Sequence, residues 1–121
     1  MEENKLQFNS LSYDEKVKLI KSSPVQLYKG ETLIKLFYKS DNQTRLLVLQ
    51  NSRNLFYYVL EQLIVFTEEQ FKQVNEGFPD VIFGAYQQVD NGYGYSVFES
   101  VEHLLKELEP ELIMFTEEKI K

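Results

Sequence analysis

The first periodic stretch of the chain predicts an amphipathic helix that begins near Ser12. Apolar side chains recur at Tyr13, Val17 and Ile20 with lysines between them, and this spacing places them on one face of a helix. Ser12 with Glu15 three residues later matches a capping box, in which each side chain accepts a hydrogen bond from the backbone of the other residue. The Ser-Ser-Pro sequence that follows is expected to end the helix, because a residue before proline avoids the helical conformation.

Three runs of strand-forming residues come next and predict an antiparallel meander. They are Thr32 to Lys39, Thr44 to Gln50 and Leu55 to Leu60, and polar turn residues separate them. Strands joined by such short connections favour pairing as hairpins. Val25 to Tyr28 is a candidate for an additional edge strand.

A second helix is predicted over about residues 68–76, because both of its ends carry local signals. Thr67 with Gln70 matches another capping box. Gly77 stands where a helix commonly ends on a left-handed residue, and Pro79 lies two positions beyond it.

The segment after this helix predicts a hairpin. Val81 to Val89 has the composition of a strand, and the Asp-Asn-Gly sequence that follows favours a tight turn. Tyr93 to Phe98 is the expected return strand.

A third helix follows, and four leucine or valine side chains lie on one of its faces. They are Val101, Leu104, Leu105 and Leu108. The start of the helix is open, since Ser100 is one candidate cap and Ser96 with Glu99 is another. Pro110 is expected to bound the helix, and Leu112 to Phe115 is a candidate last strand.

These elements together predict an α+β fold, with one antiparallel sheet of four to six strands and about three short helices packed on one face. We expect residues 1–121 to form a single globular domain, with residues 1–9 as a flexible N-terminal arm. Eight apolar side chains within periodic elements are expected to share one core. They are Leu36, Leu47, Val59, Phe71, Val74, Ile82, Leu104 and Leu108.

One sequence pattern occurs twice, since Leu63 to Phe71 resembles Leu112 to Ile120. An internal duplication is one interpretation. The other is that both segments are strand-to-helix junctions, which share an apolar run, a threonine cap and an acidic first turn.

Composition narrows the class of protein. The chain has no cysteine, which excludes disulfide frameworks, thiolate metal sites and cysteine nucleophiles. The longest apolar run, Leu55 to Leu60, is far shorter than a membrane span. The acidic N-terminus lacks the pattern of a signal peptide. We therefore expect a cytoplasmic protein that does not bind membranes.

Charge is distributed unevenly along the chain. The net charge is −6; residues 1–60 hold nine Lys/Arg against six Asp/Glu, whereas residues 61–121 hold four against thirteen. A strongly acidic segment of this kind favours a basic partner.

Candidate chemistry is sparse. An early-starting third helix would align His103 with Glu99 and Glu107, and these ligands suit a divalent cation. A solvated face with weak ion pairs explains the same spacing, and no second element supplies a further ligand. The glycines within Asp90 to Ser96 lack the Lys-Ser/Thr of a phosphate-binding loop. We expect no catalytic residue, no cofactor and no metal; a small enzyme of unfamiliar type is the alternative.

The basic half of the chain suggests nucleic-acid binding as another alternative. Lys35, Phe37 and Lys39 alternate on one strand, and aromatic side chains with Lys or Arg on a sheet can stack single-stranded bases. The neighbouring elements add Arg45, Arg53, Tyr57 and Tyr58. Alternating lysines also protect ordinary strands from aggregation, and the acidic chain as a whole disfavours a nucleic-acid partner.

The predicted partner-binding surface joins the late turn to the start of the third helix. It consists of Asp90, Tyr93, Tyr95, Glu99 and Glu102. Exposed aromatic side chains serve as anchors in interfaces, and carboxylates speed the association of a basic partner. We therefore expect a basic protein partner, with homo-oligomerisation left open.

The stretch Gly94 to Glu107 resembles the late segment of small immunity proteins of bacterial polymorphic-toxin systems, with a strand, a Ser-apolar-Phe-acidic-Ser step and a helix. Glu61 to Glu69 is similar to their strand-to-helix junction. The resemblance implies an inhibitor that neutralises a toxin, such as a basic nuclease, by direct binding without catalysis. A phage-type inhibitor of a bacterial defence nuclease, in which acidic surface mimics DNA phosphates, needs the same electrostatics and is the alternative.

Overall fold

The computed structural model describes residues 8–77, 82–89 and 96–120, and it confirms an α+β fold with one antiparallel sheet of five strands. The helices are α1 (Tyr13–Ser22), α2 (Glu68–Asn75) and α3 (Val101–Leu112), and residues 8–10 are helical as well. The strands are β1 (Thr32–Lys39), β2 (Thr44–Gln50), β3 (Phe56–Val65), β4 (Gly84–Gln88) and β5 (Phe115–Glu118). Their order in the sheet is β4-β3-β2-β1-β5.

The chain forms two compact units, residues 1–25 with 63–86 and residues 26–62 with 87–121. β3 and β4 each have residues in both units. Each unit has its own cluster of buried apolar side chains. The prediction of one shared core is therefore wrong, because α1 and α3 draw their packing partners from different stretches of the sheet.

In the first unit, α1 confirms the predicted capping box. The Ser12 N–H donates to Glu15 Oε1 at 3.0 Å, and the Glu15 N–H donates to Ser12 Oγ at 3.2 Å. The hydrogen bond from the Ser12 backbone is the main reason that the pKa of the Glu15 carboxyl lies below its ordinary value. Val17 and Ile20 are buried as predicted, whereas Tyr13 is 53% exposed.

α2 confirms its predicted start and its glycine terminator. The Thr67 N–H donates to Gln70 Oε1 at 3.0 Å, and the Gln70 N–H donates to Thr67 Oγ1 at 3.2 Å. The helix ends at Asn75, one residue before the predicted end, and Gly77 takes the left-handed conformation at φ +78°.

Phe71 and Asn75 fix α2 within the first unit. The Phe71 ring is fully buried, stacks on Phe83 at 5.2 Å and lies 5.0 Å from Phe8. The buried Asn75 side chain donates to the carbonyl oxygens of Phe71 and Ile82, and it accepts the Ile82 N–H at 2.6 Å. The predicted N-terminal arm is described only from Phe8 onward.

In the second unit, β1 and β2 have the predicted bounds. β3 begins at Phe56 and continues to Val65, five residues beyond its predicted end. Glu61 and Gln62, which follow the predicted strand, belong to β3, where Glu61 lies directly opposite Arg45 of β2. An ion pair between their side chains compensates for placing charge within the sheet.

α3 packs on one face of β1 and β2. Phe37 and Leu46 are register partners and therefore project to the same face. They form the buried cluster of the second unit together with Val48 and two leucines of α3, Leu104 and Leu108.

The start of α3 is settled, and its predicted end is wrong. Ser100 is the cap, since its Oγ accepts the His103 N–H at 3.1 Å. Pro110 lies inside the helix, which continues to Leu112. Proline lacks the N–H of a helical hydrogen bond and its ring crowds the carbonyl four residues earlier, so the helix continues through Pro110 at a local cost. The last strand consequently begins at Phe115 rather than at Leu112.

Two other predicted strands differ. Val25 to Tyr28 forms no strand, and the Tyr28 N–H donates to Glu31 Oε1 at 2.7 Å in a local turn instead. Within Val81 to Val89, the strand is confined to β4. The predicted hairpin turn and the first three residues of the return strand lie outside the described residues, and Phe98 makes a single antiparallel bridge with Phe56.

The expected core residues have mixed outcomes. Leu47, Phe71, Leu104 and Leu108 are buried. Leu36, Val59 and Val74 are half-buried. Ile82 is 44% exposed, because it precedes β4 rather than lying in a strand.

The twice-occurring sequence pattern takes two different structures. Residues 63–71 form the end of β3 and the start of α2, as a strand-to-helix junction. Residues 112–120 run from the end of α3 into β5. The interpretation of both as strand-to-helix junctions is therefore wrong for the second segment.

Candidate functional site

The predicted partner-binding surface is described at the start of α3 alone. Glu99 precedes the Ser100 cap and Glu102 lies in the first turn, and both side chains are exposed. Carboxylates at this end are favourable because the helix dipole is positive there. The other three predicted residues, Asp90, Tyr93 and Tyr95, lie outside the described residues.

The metal-ligand arrangement around His103 does not form. Glu99 lies before the helix, so it does not share a helical face with His103 and Glu107. His103 Nε2 is 3.8 Å from Glu107 Oε1, and both side chains are about 60% exposed. The Phe98 ring meets the imidazole edge-on at 5.2 Å. Across residues 8–77, 82–89 and 96–120, no three potential metal-ligating side chains cluster.

The basic and aromatic sheet surface is also not assembled as predicted. Phe37 is 7% exposed beneath α3 and cannot stack on a base. Lys35 Nζ donates to Glu117 Oε2 at 3.2 Å. Arg45 is buried, and its Nε donates to Glu61 Oε1 at 2.6 Å. Lys35 and Arg45 therefore form ion pairs with carboxylates of neighbouring strands.

A groove lies beside the end of α3, within the second unit, and we call it the α3 groove. Its volume is about 350 Å³. Its apolar lining comes from Leu46, Leu60, Leu108, Pro110, Met114 and Phe115. Its polar lining comes from Lys39, Thr44, Tyr58 and Glu111. The combination of an apolar interior with a few polar groups is typical of ligand-binding pockets.

Sequence reasoning missed the α3 groove for a structural reason. Its wall is made by Met114 and Phe115, which follow α3, and the predicted end of the helix at Pro110 misplaced both residues. In the structure, Ile113 and Met114 are 82% and 67% exposed, and large apolar side chains left in solvent often mark interaction sites. That exposure cannot be read from the sequence.

The C-terminal half of α3 is unusually acidic. Glu107, Glu109 and Glu111 are exposed, and the last turn contains no basic residue. Carboxylates at this end oppose the helix dipole, which favours cations there. In the described part of the chain, no lysine or arginine pairs with Glu109 or Glu111. Helix stability therefore does not explain these two residues.

The described helices are each too short or too polar to cross a membrane. No protein-family model, curated protein or solved structure matches this chain.

Proposed function

We propose that this protein is a non-catalytic binding module that neutralises a basic protein partner by direct contact, in the manner of a bacterial immunity protein acting on its toxin. One observation carries the proposal: α3 buries its leucines and presents carboxylates to solvent from its first turn to its last, including the end where they disfavour the helix itself. Residues that cost local stability are often kept for binding.

Electrostatics explains why such a surface suits a basic partner. The exposed carboxylates of α3 add to a chain whose net charge is −6. Opposite charge on the partner accelerates encounter and orients it before contact. A nuclease toxin fits this description, because it carries Lys and Arg to hold phosphate. Among the predicted turn residues, Tyr93 and Tyr95 would supply aromatic anchors and Asp90 a further carboxylate.

The test begins with capture of partners from the source cells by the tagged protein, followed by kinetics with the purified pair. Replacing Glu99→Lys together with Glu102→Lys is expected to slow association and to flatten its dependence on salt. Tyr93→Ala or Tyr95→Ala is expected mainly to speed dissociation, since anchors act after docking.

The matched control is Glu68→Lys with Glu69→Lys, which reverses an exposed acidic pair in the first turn of α2. It should leave the association rate within about twofold of the wild type, since the total charge changes equally but at another surface. Equal slowing of association by both double variants would show that the net charge of the protein, and not the α3 surface, determines the association rate. A captured acidic protein, or RNA, would overturn the proposal, whereas the identity of a captured nuclease would distinguish a toxin from a defence enzyme.

A further inference from the structure

We infer that the α3 groove binds one large apolar side chain of a partner polypeptide, in a segment where Lys or Arg adjoins that side chain. The inference rests on the proposed function for the basic character of the partner. It adds a second contact site, at the opposite end of α3 from Glu99 and Glu102.

The volume of the groove limits its occupant. At about 350 Å³ it lies near the lower end of the range for ligand pockets, ~300–1,000 Å³. That space suits a single aromatic or leucine side chain with its backbone. Met114 is 67% exposed although it lines the groove, so an incoming apolar side chain would bury surface that is now in water.

The polar groups of the groove match a peptide backbone. Lys39, Thr44 and Tyr58 all offer N–H or O–H donors from the sheet side. Peptide carbonyl oxygens are the acceptors that an extended segment would bring to them. The Lys39 ammonium lies 5.7 Å from the centroid of the Phe115 ring, so the aromatic face attracts this cation toward the wall of the groove that Phe115 forms.

Charge at the helix side selects the neighbouring residue. Glu111 lines the groove at the end of α3, whereas Glu109, two residues before it, lies on another side of the helix. The carbonyl end of the α3 dipole adds partial negative charge. A Lys or Arg beside the apolar side chain would meet Glu111 and this end of the helix. A small amphipathic carboxylate could use Lys39 and Thr44, but it would face Glu111 as a like charge, and the geometry therefore points to the basic peptide.

The chain contains no Trp but eight Tyr, so a Trp-containing peptide can be followed by its own fluorescence when it is excited at wavelengths that tyrosine does not absorb. The probes are two blocked pentapeptides, Ala-Lys-Trp-Lys-Ala and Ala-Glu-Trp-Glu-Ala. The Lys peptide is expected to show a saturable blue shift and to bind about fivefold more tightly than the Glu peptide at low salt.

Two pairs of variants localise the site. Met114→Ala is expected to weaken the Lys peptide about fivefold through lost apolar contact, whereas Ile113→Ala should leave its affinity unchanged, because Ile113 is equally apolar and exposed but does not line the groove. Glu111→Lys should abolish the preference for the Lys peptide. Glu69→Lys, an equal charge reversal at an exposed residue of α2 that does not line the groove, should retain most of it. Thermal unfolding of each variant checks that the fold persists.

The two methionines of the chain give a direct readout of occupancy. With ¹³C-methyl methionine, the signal that disappears in Met114→Ala should be the one that shifts when the Lys peptide is added.

Dodecanoate is the probe for the competing ligand class, a small amphipathic carboxylate. Tighter binding of the Glu peptide or of dodecanoate, or a peptide response that Met114→Ala does not change, would overturn the inference. If neither peptide binds while Glu99→Lys with Glu102→Lys still slows association of the purified partner, the groove inference falls and the proposed function stands.

Discussion

At the scale of single residues, the ion pair between Arg45 and Glu61 specifies how β2 and β3 align. Their side chains are 7% and 15% exposed, and the Arg45 Nη1 also reaches Tyr38 Oη at 3.5 Å. A slip of β3 by one residue would turn Glu61 to the other face and leave a buried guanidinium without its carboxylate. The ion pair therefore fixes the register between β2 and β3.

Glu61→Ala is expected to lower the free energy of unfolding by about 3 kcal/mol, because it leaves a charge buried without its partner. Urea unfolding measures the change. Lys35→Ala is the comparison, since it removes the more exposed Lys35–Glu117 pair of the same sheet and should cost less than about 1 kcal/mol. Equal losses for the two variants would show that burial does not determine how much each ion pair contributes to the free energy of unfolding.

Gly84 occupies a position where the chain has no room for a side chain. A Cβ atom there would collide with the carbonyl oxygen of Ile64 and lie 2.6 Å from Ile20 Cδ1. Gly84→Ala is therefore expected to destabilise the protein by about 1–3 kcal/mol through displaced backbone.

Gly77→Ala should cost about 1 kcal/mol for a different reason. Nothing lies within 4 Å of its added Cβ, but its φ of +78° is a conformation that alanine rarely adopts.

These two glycine variants can be separated by where the damage appears. Amide hydrogen exchange should accelerate in β3 and β4 for Gly84→Ala and at the end of α2 for Gly77→Ala. Unchanged stability of Gly84→Ala would mean that the contact with Ile64 relaxes without cost.

At the scale of elements, the sequence Phe-Thr-Glu-Glu shows why some boundaries follow from local signals and others do not. It begins α2 at residues 66–69 and forms β5 at residues 115–118. Gln70 completes the first capping box, whereas the corresponding Lys119 has no acceptor to offer. The second copy instead pairs with β1, a partner far away in sequence.

Thr67→Ala is expected to destabilise the protein by about 1 kcal/mol, because the Gln70 N–H loses its acceptor. Thr67→Ser should restore most of that stability, since serine caps helices at least as well. Denaturant unfolding measures both changes. Partner binding should stay unchanged in Thr67→Ala, and a binding defect in a folded variant would show that this junction belongs to the functional surface.

The same distinction explains which parts of the site were predictable. Glu99 and Glu102 are exposed beside a helix start that a sequence cap marks. The α3 groove needs residues of four strands, the helix end and Met114 in one place. No local pattern encodes that arrangement, since it depends on α3 continuing through Pro110 and on β5 pairing with β1. Tertiary packing therefore decided what the local signals left open.

At the scale of the whole molecule, the two compact units raise the question of whether the chain unfolds in one step. Phe71 belongs to the first unit and Leu104 to the second, and both are fully buried. β3 and β4 each contribute residues to both units. A strand that loses its packing in one unit loses part of its support in the other, so we expect a single cooperative transition, as small single domains usually show.

Leu104→Ala tests this expectation, because it creates a cavity in the second unit and should cost about 2–5 kcal/mol. The Phe71 amide of the first unit donates to the Thr67 carbonyl oxygen at 2.8 Å. If the chain unfolds cooperatively, the free energy of opening measured by exchange of this amide should fall by the same amount. The reverse variant, Val17→Ala in the first unit, should accelerate exchange of the Leu104 amide. Full Phe71 protection in Leu104→Ala would mean that the units unfold separately, and the single-domain prediction would then be wrong.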